Sequence, residues 1–314
     1  MNDPTAAPIE RRAVPGSTTR FSSVTISVDP ATASPPATQD RTVTLLRRAR
    51  ERGVTTFDVA DVAFPAAAER LLRTAFPEPD PELGVIVGRS VETLARGGSV
   101  GPHPNEEGAL AEALEVSLQE SQRRLGEVRV VALEWSVPPS VSARRGSPSA
   151  SRPAWPRDAK VLRILRSSSP TREDDESPPQ LIADEFSLLD TRWARERPDL
   201  SPTTAGLVAR NPFASGRLDG SRFAVDAGLR PAGVGPIDLR RLHEEFDPVL
   251  QLGFLTRERR RTLAQAALRF VLAWPWVTTA VVPLPTPERL GELLSFTETP
   301  ELSEEELVQL GLVK

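Results

Sequence analysis

The stretch FDVADVAFPAAAERLL, residues 57–72, decides how the chain is read. Apolar Phe57 leads into Asp58, and beyond Pro65 the apolar residues recur at helical spacing. This is a short strand, a carboxylate at its edge, and an amphipathic helix. Where an active site would present a proton donor after that carboxylate, the chain has Ala63 and Phe64.

The same rhythm extends on both sides. RFSSVTISV (20–28) alternates as a strand, and DPATASPPATQD (29–40) reads as a Pro-rich loop. RTVTLLRRARERG (41–53) reads as a helix that Gly53 caps. Strands are expected at VTTFDVA (54–60), LGVIVGR (83–89), VRVVALEWSV (128–137), KVLRILRS (160–167), QLIADEFSLL (180–189), GLVARNPF (206–213) and VTTAVVP (277–283). Between them, residues 105–126 predict a long helix, with Asn105 as its N-cap and Gly126 as its end. TRERRRTLAQAALRFVLAWP (256–275) predicts another, and PERLGELLSF and SEEELVQLGL close the chain as helices. Short apolar strands alternating with helices predict a parallel sheet, either a barrel or a doubly wound sheet.

Two segments break the rhythm. Residues 138–159 and 168–179 are too rich in Pro, Ser and Arg for helices, so the outer helices after the fourth and fifth strands are expected to be reduced or lost. Trp155 is the expected anchor for an extended cover there. A partner protein or self-association is the alternative cover for an exposed apolar surface. Residues 1–20 read as a flexible arm ahead of a barrel over 21–314.

Composition removes several chemistries. The chain has 314 residues and no Cys, which excludes disulfides, thiolate nucleophiles and Cys metal sites, and no metal site is expected. It also has no Tyr; its two His are His103 and His243, and its only Lys are Lys160 and Lys314. Arg supplies nearly all the positive charge and does not give up its proton near neutral pH. Carboxylates and hydroxyls are left as acid–base groups. A net charge of -4 leaves no footprint for nucleic acid or an anionic membrane. No apolar run nears the ~20 residues of a membrane span. With no signal-peptide core either, the expected location is the cytoplasm.

Several stretches together carry a family resemblance. FDVADVAFPAAAERLL lies without a gap on F-D-T-A-D-x-Y-G-x-G-x-S-E-x-x-L, and SLQESQRRLG resembles S-L-x-x-S-L-x-x-L-G. EFSLLDTRW, LVARNPFASGRLDG and AQAALRFVLAWPWVTTAVVP follow in order, each similar to a further motif of the same family. The family is the aldo/keto reductases. The resemblance implies a (β/α)8 barrel with its site at the C-terminal strand ends, and carbonyl reduction by NADPH through a Tyr, a Lys–Asp pair and a His. A phenol of pKa ~10 needs such a cation to donate its proton at neutral pH.

Carried over position by position, the tetrad is depleted. Asp58 matches the family Asp, but Ala63 stands at the Tyr position, Arg89 at the Lys position and Ser136 at the His position. Glu134 is a surrogate carboxylate on the same strand as Ser136. The resemblance places cofactor contacts at Ser167, Ser168, Arg210, Asn211 and Arg289, with Arg289 facing a 2′-phosphate of NADP. An Asp58–Arg89 ion pair is the expected filling of the vacated space. The favoured function is a pseudoenzyme acting as a binding or partner subunit. The alternatives are an NADP-dependent oxidoreductase with an atypical site, and a lyase or isomerase that uses Asp58 and Glu134 with Arg89.

Overall fold

The computed structural model describes residues 8–29, 36–60, 62, 64–90, 93–94, 107–136, 155, 161–166, 179–196, 205–221 and 246–312. Within the stretch expected as an arm, β1 (Arg11–Ala13) pairs as an antiparallel hairpin with β2 (Arg20–Ser22), the first residues of the strand expected over 20–28, which continues after Ser23 as a separate strand. The hairpin's apolar residues explain the difference: Ile9, Val14 and Phe21 are all buried. Arg12 fastens it by donating to the carbonyls of Leu272 at 2.7 Å and Val277 at 2.8 Å.

The barrel strands follow the expected segments: β3 (Val24–Ser27), β4 (Thr56–Val59), β5 (Gly84–Arg89), β6 (Arg129–Trp135), β7 (Leu162–Arg166), β8 (Leu181–Glu185), β9 (Gly206–Arg210) and β10 (Val277–Pro283). All neighbours are parallel, and β10 closes on β3, which settles barrel against open sheet. Helices α1 (Pro36–Glu51), α2 (Pro65–Ala75), α3 (Glu107–Leu125), α4 (Arg192–Glu196), α5 (Leu263–Leu272), α6 (Pro287–Leu294) and α7 (Glu304–Gln309) accompany them. The fold is a (β/α)8 barrel.

Side-chain alternation assigns the two strand faces. Val85, Val87, Leu133, Trp135, Leu165, Leu207 and Ala209 belong to the outer core beneath the helices. Ile86, Ala132, Ile164, Ala183, Val208 and Val281 fill the interior, and Phe21 and Val14 from the hairpin segment close its base. The base is also polar-bonded. Ser22 Oγ accepts the N–H groups of Thr55 and Thr56 at 3.1 and 3.0 Å, and the hydroxyls of Thr25 and Thr279 meet at 2.8 Å.

Two helix boundaries differ from expectation. Helix α1 begins at Pro36, inside the Pro-rich stretch, because proline is tolerated in a first helical turn. The helix expected over 256–275 is split into a 3₁₀ segment, Gln251–Arg259, and α5. Thr262 makes the division: its hydroxyl accepts the N–H of Gln265, whose side chain accepts the N–H of Thr262. Gly53 and Gly126 end α1 and α3 with positive φ, as expected. Trp155 packs against the outer core with the Arg163 guanidinium 5.9 Å from its ring centroid, so the expected anchor does dock. The rest of 138–159, nearly all of 168–179, and Asn105 lie outside the described residues.

Replacing Thr262 with Ala removes this cap, and urea unfolding should read a loss of about 1 kcal/mol.

Candidate functional site

Four charged residues of the inward phase bond to one another near the C-terminal strand ends. Asp58 (β4), Glu134 (β6), Arg166 (β7) and Arg210 (β9) come from the second, fourth, fifth and seventh barrel strands. Arg210 donates Nη1 to Asp58 Oδ2 at 2.9 Å and Nη2 to Asp58 Oδ1 at 2.8 Å. Its Nη2 also contacts Glu134 Oε2. Glu134 Oε1 accepts from Arg166 at 2.9 Å (Nε) and 2.7 Å (Nη2). Asp58 is fully buried, Glu134 is 2% exposed and Arg210 is 7% exposed. Burial alone would lower the pKa of Arg210, but the Asp58 and Glu134 carboxylates outweigh it and raise the value above the ordinary arginine range. Arg210 is therefore a permanent cation, and the quartet carries two charges of each sign.

Arg89 is not part of it. Its strand phase is that of Val85 and Val87, so its side chain runs outward to α3. There it donates to Ser117 Oγ at 2.5 Å, to the Ser117 carbonyl at 3.2 Å and to Ser121 Oγ. Burial pushes its pKa down, and nearby Glu69 partly offsets this. The expected Asp58–Arg89 pair is thus replaced by Asp58–Arg210. The inward residue beside Arg89 is Gly88, where a Cβ would lie 2.2 Å from the Ala60 carbonyl oxygen. Close approach of β4 and β5 requires a glycine there, and that position offers Asp58 no cation.

The other expected positions divide as follows. Glu134 points inward and its neighbour Trp135 outward. Ser136 is half-buried, and its N–H donates to the Arg89 carbonyl at 3.0 Å. Phe64 precedes α2 and is 65% exposed. Ala63, Ser167 and Ser168 lie outside the described residues. Arg210, expected as a cofactor contact, is the centre of the quartet. Arg289, expected to face a phosphate, lies 3.4 Å from Asp219.

Above the quartet opens a cavity of about 680 Å³, walled in part by the 211–221 turn. Asn211, Ala214 and Ser215 take left-handed backbone there, at φ of 54°, 50° and 59°. The described lining carries four carboxylates, Asp29, Asp184, Glu185 and Asp219, against two guanidinium groups, Arg166 and Arg210. Both of those are engaged with Asp58 or Glu134. Two of the four lining carboxylates are engaged too: Asp219 lies 3.4 Å from Arg289, and Asp184 accepts from Trp193 Nε1 at 2.8 Å. Among the described residues no cluster of His, Asp or Glu is arranged to hold a metal ion, and no helix is long and apolar enough to cross a membrane.

No family model matches the sequence, and no curated protein matches it. Solved structures do. The holo form of aldo-keto reductase AKR11C1 from Bacillus halodurans is 17% identical, with a TM-score of 0.64, over 98% of this chain and 97% of that one. Glycerol dehydrogenase AKR11B4 from Gluconobacter oxydans is 18% identical, with a TM-score of 0.68, over 96% and 94%. The chain has the aldo-keto reductase fold. At these identities the likeness covers the architecture, and the site is read from its own residues.

Arg166 and Arg210 are the residues that sequence reasoning missed as partners of Asp58 and Glu134. A signal was present: in LRILR and GLVAR the terminal Arg shares the inward phase of Ile164 and Val208. Removing one member of a buried ion pair leaves a bare charge. Arg210→Ala should therefore lower unfolding free energy by about 3–5 kcal/mol in urea titration. Arg166→Ala, at a side chain 28% exposed, should cost clearly less.

Proposed function

We propose that this chain belongs to the aldo/keto reductase family, has lost carbonyl reduction, and acts as a binding or partner subunit. The observation that carries this reading is the clasp of Arg210 on both oxygens of Asp58. Asp58 is the one tetrad group that the resemblance retains. In a working site it would pair with a lysine whose charge lowers the pKa of a phenol; here it pairs with an arginine, and the chain contains no Tyr. The ordered motifs from residue 41 onward and the shared fold support the family.

The second reading is an NADP-dependent oxidoreductase with an atypical site. The cavity at the barrel mouth favours it, because this face carries the chemistry of such barrels. A lyase or isomerase with Asp58 or Glu134 as base is disfavoured. A general base must be free to take a proton, and both carboxylates already accept charged hydrogen bonds. A protein partner or a second copy over the fourth and fifth strands remains part of the proposal, beside the area that Trp155 covers.

Titration with NADPH, read by quenching of the five Trp, should give no saturable change up to millimolar cofactor. Absorbance at the nicotinamide band should stay constant with a panel of aldehydes and ketones. Saturable quenching together with cofactor oxidation would establish the second reading instead.

A further inference from the structure

The opposite end of the barrel has the opposite electrostatic character. A cleft of about 450 Å³ opens there between the hairpin, the Pro81–Glu82 turn and the first residues of β5 and β6. Arg11, Arg20 and Arg129 line it. In the hairpin register Arg11 faces Ser22 and Ala13 faces Arg20, so Arg11 and Arg20 project from one face. Phe21 and Arg12 take the other face, toward the barrel.

Among the described residues the lining includes a single carboxylate, Glu82, and it is committed twice: Oε1 accepts from Arg11 at 2.6 Å and Oε2 from Arg50 at 3.0 Å. Arg20 is held by one bond to the Arg11 carbonyl at 2.5 Å, and Arg129 by one bond to the Pro81 carbonyl. Each guanidinium has five donors, so most of the donors on Arg20 and Arg129 lack a protein acceptor among the described residues. The side-chain amide of Gln122 is used up on backbone groups of Gly126, Val128 and Val130. The hydroxyls of Thr18 and Thr19 add neutral donors at the edge.

Guanidinium forks fixed by backbone bonds in a concave site, with surplus positive charge, match the geometry of phosphate oxygens. We propose that this basal cleft binds a compact phosphate-bearing anion of two or more charges. The one aromatic in the described lining, Phe21, is 1% exposed and offers no stacking platform, which points away from a nucleobase-bearing ligand. The site is separate from the barrel mouth, so it does not depend on the function proposed above.

Calorimetric titration of the full chain with inorganic pyrophosphate at low salt tests it. One saturable site is expected, with affinity falling as salt rises. In Arg20→Gln/Arg129→Gln the Kd should weaken by about tenfold or more. Both positions are exposed, so far-UV circular dichroism and the urea midpoint should stay unchanged. Arg129→Gln alone should weaken Kd by roughly threefold or more, which keeps the test open should the double variant unfold. No saturable heat at millimolar pyrophosphate, or an unchanged Kd in the variants, would overturn the proposal.

Discussion

The contact of Arg210 with Asp58 and Glu134 governs the upper barrel. Three ionised groups stand almost wholly out of water, where each alone would carry a solvation penalty of several kcal/mol. They persist there because each carboxylate has a charged donor within hydrogen-bond reach and Arg166 completes the neutral balance. The bonds tie the ends of the second, fourth, fifth and seventh strands together. Well-packed apolar side chains often substitute for such a cluster at little cost, whereas removing one partner of it is costly.

The chemical consequence follows from the same contact. A carboxylate clasped at both oxygens is a weak base, and a bound arginine is no proton donor. The frame that positions a reductase tetrad is present, while the groups at its mouth are committed to one another. Among the described residues the mouth lining carries four carboxylates beside Arg166 and Arg210, and the basal cleft carries three arginines beside Glu82.

Much of the fold was legible in the sequence for a physical reason. Barrel strands are buried on both faces, so they read as short apolar runs, and all eight fell where such runs occur. The first hairpin strand was not legible: β1 has three residues, Arg11, Arg12 and exposed Ala13, and the apolar Ile9 and Val14 lie outside it. The single helix expected over 256–275 failed because a capping Thr outweighed continuous helix propensity. At the site, Asp58 and Glu134 were found, but the partner of Asp58 was misassigned. Spacing along the chain put Arg89 nearby, and only the inward or outward phase of β5 and β9 decides between Arg89 and Arg210.

Asp58 and Arg210 hold one another in the buried site, and a double-mutant cycle measures their coupling directly. Unfolding free energies of the parent, Asp58→Asn, Arg210→Gln and the double variant should give a coupling of about 2 kcal/mol or more. Additive losses, within about 0.5 kcal/mol, would show that the two groups do not hold one another and would contradict the account.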